Sequence, residues 1–412
     1  MNYLILGLIG LAFVLIVLED VIHLNKAKST LFIGTLVWIL AFIFPQGHIH
    51  EIKEGLNEQL LEIATLWLFL MAAMTYVAYL NQKGLITQLV YRLLPNQLKL
   101  SQLMMLIALL ALGFSSLADN ITASLIMLSL LASLNLDKRT TLKFATLIVF
   151  AVNSGGVSLI TGDVTTLMIF LADKVTVTNL FILIPPAAFG VVILVLCLMR
   201  GCSEEVTLPK FKRPIARSDQ LIAALFLATI ISTLTFSILW QVPPVLTFLF
   251  GLSVMFIVHR LIHKDEAKPN ILEYVRDIEF DTLLFFLGVL LLVGMLRELS
   301  VLELLPQLYT VMPAYIANFI VGILSALVDN VPLTAAILQS GVEMTLSDWL
   351  GLTYAVGVGG SILIIGSAAG VIALSKLEVL SFISYLRFIH WLLVAYSAGY
   401  LAVLAISHTV YG

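Results

Sequence analysis

Apolar residues fall in blocks at about 3–19, 29–44, 60–80, 100–118, 121–134, 140–152, 164–172, 179–199, 219–239, 243–262, 279–297, 313–328, 331–341, 347–358, 364–375 and 386–408, parted by polar stretches. The longer blocks approach the ~20 residues that a helix needs to cross ~30 Å of hydrocarbon, so the pattern predicts membrane-spanning helices. Several blocks are too short to cross alone. The pairs 100–118/121–134 and 313–328/331–341 each meet at an Asp-Asn dipeptide, Asp119-Asn120 and Asp329-Asn330. The pairs 140–152/164–172 and 347–358/364–375 meet at glycine-rich segments. A helix interrupted at membrane depth is tolerated only where the freed backbone is buried in protein or lines a cavity, which makes these four joints the candidate functional positions. Segments 81–99 and 298–312 mix Leu with Lys, Arg or Glu and read as interfacial amphipathic helices.

The blocks repeat. Thr65-Leu-Trp-Leu-Phe69 matches Thr282-Leu-Leu-Phe-Phe286 at an offset of 217 (282 − 65), the Asp-Asn pairs follow at 210 (329 − 119), and Gly155-Gly156 with Gly162 matches Gly359-Gly360 with Gly366 at 204 (359 − 155). A constant order with slowly shrinking offsets argues for internal duplication. The expected division is an extra N-terminal span over 1–24, a first repeat over 25–200, a polar connector over 201–218 and a second repeat over 219–412.

Basic residues orient the chain. With the Lys26/Lys28 loop inside and both Asp-Asn segments returning to the side they came from, only Lys53, Lys174 and Arg297 of the 22 Lys and Arg residues lie outside. The connector is then cytoplasmic and both termini are outside. The first hairpin is rooted inside among Lys99, Lys138 and Arg139, the second outside among Pro313, Glu343 and Asp348, so the repeats are inverted. The expected fold is an all-α polytopic membrane protein of about 11 transmembrane helices, with two inverted five-helix repeats that each carry a re-entrant hairpin and a broken helix, an alternating-access transporter architecture.

Composition fits this reading. The 412 residues are 60% hydrophobic and 11% charged, against about 25% charged in soluble domains. A net charge of −3 without basic excess argues against nucleic acid as a partner. Cys197 and Cys202 do not form a disulfide framework, and no Cys/His metal spacing occurs. The block from Leu4 to Leu18 lacks the basic flank and cleavage site of a signal peptide and reads as a retained span.

An Asp at membrane depth is expensive and therefore a functional candidate by default. A hairpin tip at Asp119-Asn120 presents the carbonyls that end one half-helix, the amides that open the next, a carboxylate and an amide oxygen to one small volume. Such hard oxygens suit Na⁺, Li⁺ or H⁺ and not a soft metal. The plain alternative is that Asp119 or Asn120 only caps the second half-helix, although Ser or Asn caps without a membrane charge. Asp329-Asn330 repeats the logic, with Pro332 in the first turn, where a missing amide costs little.

The glycine breaks are unequal. The first reads Asn153-Ser-Gly-Gly156 and then Gly162-Asp163-Val-Thr165-Thr166; the second reads Gly359-Gly-Ser361 and then Gly366-Ser367, so Ser367 stands where Asp163 does. The asymmetry predicts that Asp119 and Asp163 are partners in proton-coupled chemistry on the first repeat, whereas Asp329 faces Ser367 and the second repeat supplies mainly neutral oxygens. Burial disfavours a charged carboxylate, and a half-helix N-terminus favours it by only ~0.3–2 kcal/mol. One buried Asp then takes either a proton or a cation, which suffices to couple the two fluxes. Glu62, Glu279 and Asp281 read as interfacial caps, and His48, His50, His259 and His263 as solvated loop residues.

Ser-x-x-x-Asp-Asn at Ser115–Asn120 and Ser325–Asn330, the run from Asn153 to Thr166, and Gly-Gly-Ser361 with Gly-Ser367-Ala-Ala-Gly370 resemble the NhaD-type Na⁺/H⁺ antiporters of the ion transporter superfamily over most of residues 20–408. The resemblance implies exchange of Na⁺ or Li⁺ for H⁺ in a bacterial inner membrane, no enzyme activity, no cofactor, and a homodimer. It assigns ion-site roles to Ser115, Asp119, Asn120, Asn153, Asp163, Thr165, Thr166, Ser325, Asn330, Ser361 and Ser367, to which the reading of the residues adds Asp329. Dicarboxylate and arsenite transporters of the same superfamily are the nearest rival, but Asp-Asn at both tips repels a dianion. An intramembrane aspartyl protease built on Asp119 and Asp163 lacks the expected neighbours, since Ala118 and Ile160 stand where Tyr and Gly belong.

Overall fold

The computed structural model describes residues 2–22, 24–45, 49–95, 97–134, 136–202, 204–207, 216–262 and 273–411. The first half runs through α1 (Asn2–Val17), α2 (Lys26–Ile43), α3 (Ile49–Gln82), α4 (Leu85–Leu93), the hairpin arms α5 (Leu100–Leu117) and α6 (Asn120–Ser133), the broken pair α7 (Lys138–Gly156) and α8 (Val164–Leu171), and α9 (Ile184–Leu198). The second half has α10 (Arg217–Trp240), α11 (Pro244–Ile262), α12 (Phe280–Glu298), α13 (Leu304–Val311), the arms α14 (Ala314–Val328) and α15 (Asn330–Gln339), the broken pair α16 (Leu346–Gly359) and α17 (Ala368–Lys376), and α18 (Ile389–Tyr411). The series of long helix, short helix, hairpin, broken pair and long helix thus occurs twice. Among the described residues eight helical stretches are long and apolar enough to cross a membrane, and the chain is a polytopic membrane protein.

Two departures from the apolar pattern have local causes. Helix α3 begins at Ile49, ahead of the apolar block, because Glu51, Lys53, Glu54 and Glu58 are helix formers that extend it into solvent. His50 is therefore on a helix, exposed, with Nδ1 3.1 Å from Glu54 Oε1. The all-helical expectation also has an exception, since β1 (Gln97–Lys99) pairs antiparallel with β2 (Glu205–Thr207). The Leu100 amide donates to the Glu204 carbonyl at 2.8 Å, which ties the connector to the foot of the first hairpin.

Helices α3 and α12 run antiparallel. Along their seam Glu58 meets Arg297 at 2.9 Å, the Trp67 indole donates to the Leu283 carbonyl at 2.7 Å, and the Gln82 amide donates to Asp277 at 3.2 Å, one number rising as the other falls. Helix α2 lies parallel to α12, with Asn25 against Asp281 at 2.7 Å and the Trp38 indole on the Leu291 carbonyl at 2.9 Å. Their backbones come close at Gly34 and Gly288, where a Cβ on either would strike the other helix. Packing sorts the helices into a frame of α1, α2, α3, α10, α11 and α12 and a second body of α5–α9 with α14–α18.

The second body is held by a contact that repeats. Gly155 on α7 lies against the Leu112 backbone of α5, and Gly359 on α16 against the Gly322 backbone of α14. Both positions demand Gly because a side chain would meet backbone that has nowhere to retreat. Gly359→Ala is expected to destabilise the protein by about 1–3 kcal/mol or more through overpacking; a thermal unfolding midpoint equal to that of the parent in detergent would refute this.

His259 is buried, contrary to the solvated position expected for it. It ends the stripe Phe248, Leu252, Met255 on the inner face of α11 and sets its ring edge-on to Tyr79, centroids 6.1 Å apart, while Tyr79 donates to Asp219 at 2.6 Å. The helical spacing carries it inward. His48, His263, Lys210, Lys212, Arg213, Lys264 and Lys268, used in the sequence reading, lie outside the described residues.

Candidate functional site

The two hairpins meet tip to tip. The first has its foot at the β ribbon beside Leu100. The second has its foot at the opposite end, where the Gln339 amide donates to Gln59 at 3.0 Å and Glu62 at 3.2 Å near the Glu58–Arg297 pair. A cavity of about 240 Å³ lies at their tips, and its lining includes Asp119, Asn120, Asn153, Asp163, Asp329, Asn330 and Ser367.

Four half-helices begin at this cavity, and each N-terminus is capped by one of the expected residues. Asp119 takes the Thr122 amide on Oδ1 at 2.8 Å and the Thr122 hydroxyl on Oδ2 at 3.0 Å, opening α6. Asp163 takes the Thr165 amide at 3.2 Å, opening α8. Asp329 takes the Val331 amide at 3.3 Å, opening α15, and Ser367 takes the Gly370 amide at 3.4 Å, opening α17. Capping and cavity lining are therefore one role, because the side chain that satisfies the first amides also faces the space where four positive helix ends converge.

Both tip aspartates are held in a backbone region that side-chain-bearing residues avoid, with φ 104° and ψ 156° at Asp119 and φ 85° and ψ 148° at Asp329. Each such residue costs about 1–3 kcal/mol and persists only where its surroundings over-determine it. The same strain at equivalent points of both hairpins marks the tips as specified features.

The halves exchange contacts instead of keeping to themselves. The second arm α6 packs on α17, and α15 packs on α8. Asn153 donates to Ser367 at 2.9 Å and accepts from Asn120 at 3.4 Å, while Asn330 donates to Asp163 Oδ2 at 3.4 Å. Ser115 donates to Asn120 Oδ1 at 2.6 Å and so fixes that amide from behind.

The expected pairings are corrected here. Ser367 is bonded to Asn153, and Asp163 to Asn330 of the other half. Asp329 pairs with Lys26, whose Nζ lies 2.9 Å from Oδ2. Asp119 is engaged by Thr122 and not by Asp163, which also leaves no carboxyl dyad of the protease kind.

Five expected residues are buried behind the lining. Ser325 donates to the Gly322 and Val356 carbonyls, Ser361 to the Val358 carbonyl, and Thr166 to the Gly156 carbonyl. Ser115 is placed as above, and the Thr165 hydroxyl has no hydrogen-bond partner, nor do those of Ser154 and Ser158 at the same break. Buried hydroxyls without partners are rare in folded proteins and commonly mark a site for an ion or water.

Several lining residues were missed or set aside by sequence reasoning. Lys26 reaches the cavity from α2, Asn25 from its N-cap and Glu19 from the short helix Glu19–Ile22, and Glu279, Asp281 and Thr282 from the start of α12. The sequence puts Lys26 in a loop and reads Glu279 and Asp281 as caps, and Glu279 does stand at the N-cap position of α12. Their block-end positions carried no signal that two parallel helices open at one cavity mouth.

A family model described as citrate transporter matches residues 13–359. The chain is 30% identical to the Na(+)/H(+) antiporter NhaD of Vibrio cholerae, over 99% of this chain and 92% of that one. It is 32% identical to the NhaD of Vibrio parahaemolyticus, over 84% and 92%, and 29% identical to sodium/proton antiporter 2 of Arabidopsis thaliana, over 97% and 98%. With its family match over residues 13–359 and with these identities along most of both chains, this protein belongs to the citrate transporter family and to its NhaD-type members.

Proposed function

We propose that this protein is a secondary active antiporter that exchanges Na⁺ or Li⁺ for H⁺ by alternating access, its carboxylates binding cation and proton in competition. The observation that carries this reading is the charge of the cavity, where Glu19, Asp119, Asp163, Glu279, Asp281 and Asp329 stand against Lys26. Such a lining attracts a cation and repels a di- or tricarboxylate, so it speaks against citrate as cargo. The cation ligands are Asp163, Asn120, Asn153, Asn330, Ser367 and, in turn, Asp119 and Asp329, with Ser115, Thr165, Thr166, Ser325 and Ser361 supporting them from behind. Hard oxygens of this mixed neutral and anionic kind suit Na⁺ and Li⁺, and no cofactor enters the cycle.

The mouth of the cavity lies at the end of α2 and α12 where Lys83 and Arg276 also sit, and the positive-inside rule then makes it cytoplasmic. In this orientation the protein lies in a bacterial inner membrane with both termini outside, and a homodimer is its assembly. The second repeat extends over 219–412, parted by a cytoplasmic connector at 201–218 from the first, which takes in 25–200. The α10–α11 pair packs as α1–α2 does, which supports joining the 1–24 span to the first repeat.

The test is cation-induced change in ΔpH in everted vesicles from cells without other antiporters, with Na⁺, Li⁺ and K⁺ added separately across pH. Na⁺ and Li⁺ should each dissipate the gradient. Citrate uptake without any cation-induced change would sink the proposal.

A further inference from the structure

The Lys26–Asp329 pair joins the cavity to the frame, a contact that neither the repeat nor the antiport reading anticipates. Lys26 opens α2 in the frame, and Asp329 is the tip of the second hairpin in the other helix body. The ammonium lies 2.9 Å from Asp329 Oδ2 and 4.6 Å over the Phe285 ring, with the Lys26 side chain 20% exposed and that of Asp329 8%. The Lys26 amide donates to Glu19 at 3.0 Å, which fixes the backbone from which the side chain reaches in. Asp329 Oδ1 is taken by the Val331 amide. Both carboxylate oxygens of the second tip are therefore engaged, and the ammonium holds the Oδ2 position that a cargo cation would take.

Resting on the antiport reading, we infer that Lys26 is a tethered cation that competes with Na⁺ for Asp329, so that cargo binding must displace it. The displaced ammonium stays among Glu19, Glu279 and Asp281, which line the same mouth, so the exchange strands no charge. Displacement also opens the ion pair that joins the frame to the second hairpin. The hairpin is then fastened when Asp329 holds no cargo and released when it does. Lys26 is thus a positioning residue that sets Na⁺ affinity and links occupancy to movement.

The experiment is ²²Na⁺ equilibrium binding to the purified full chain, with exchange measured on the same preparations in proteoliposomes. Lys26→Met keeps the aliphatic stem over Phe285 and removes the charge. If the pair is closed in about nine molecules of ten, it should bind Na⁺ about 10-fold more tightly, since apparent affinity is reduced by the fraction of competent molecules. Its maximal exchange rate should fall. Lys26→Arg should restore the parental values. A structural role predicts only weaker binding, so equal or weaker binding by Lys26→Met overturns the inference while the antiport reading stands. Absence of Na⁺ binding by the parent at every pH overturns the antiport reading itself. Should Lys26→Met fail to accumulate, Lys26→Cys in a Cys197→Ser, Cys202→Ser background gives the same comparison within one folded sample. Treatment with 2-aminoethyl methanethiosulfonate, which restores an ammonium, must weaken Na⁺ binding there, and no change refutes the role.

Discussion

Asp163→Asn is expected to lower Na⁺- and Li⁺-driven dissipation of a proton gradient by about 100-fold or more. Asp163 is the carboxylate of the first repeat that also contacts the second, through the Asn330 amide at 3.4 Å. Removing one partner from a buried charged site costs about 3–5 kcal/mol, and each 1.4 kcal/mol is tenfold in an equilibrium constant. Asp119→Asn should show a similar loss for a separable reason. Asn is as good an N-cap as Asp, so α6 keeps its start, and what disappears is the carboxylate. Vesicles carrying each variant, matched for amount of protein, give the readout. Full exchange by both would remove the site assigned to the first repeat.

The second large effect is expected at Asn153→Ala. Its amide bridges the halves, donating to Ser367 at 2.9 Å and accepting from Asn120 at 3.4 Å in a fully buried position. The truncation takes a hydrogen-bond partner from both of those groups, at about 1–3 kcal/mol. The half-saturating Na⁺ concentration should rise between ~5- and ~150-fold, with a smaller change in maximal rate. Ser367→Ala should act in the same direction, and the double variant should fall short of the sum, because the two share one bond. Parental half-saturation in Asn153→Ala would show that the bridge is not part of the cation site.

These expectations differ in how they were reached. Asp119, Asp163 and Asp329 are legible in the chain because each interrupts an apolar block, where a charge has no reason to stand without function. Glycine at 155 and 359 is equally legible, and the structure supplies its cause in the contacts with Leu112 and Gly322. Asn153 is named by the motif alone. Its use as a bridge to Ser367, 214 positions away, comes from packing.

The four breaks at Asp119, Asp163, Asp329 and Ser367 are legible in the chain, since apolar length, polar caps and glycine runs are local properties that need no neighbour, whereas the start of α3 at Ile49 and the β ribbon at Gln97–Lys99 are not. The correspondence of the halves is legible too, because a duplicated pattern survives in one dimension. Correspondence is not adjacency. Inverted halves that interlock put each one's Asn beside the other's break, so Asn330 reaches Asp163 and Asn153 reaches Ser367. The tertiary structure alone decided that the second tip is held by Lys26, 303 positions away. That neighbour exists because Gly34 and Gly288 let α2 and α12 pack closely in parallel and open together at the cavity, a contact that no repeat or spacing records.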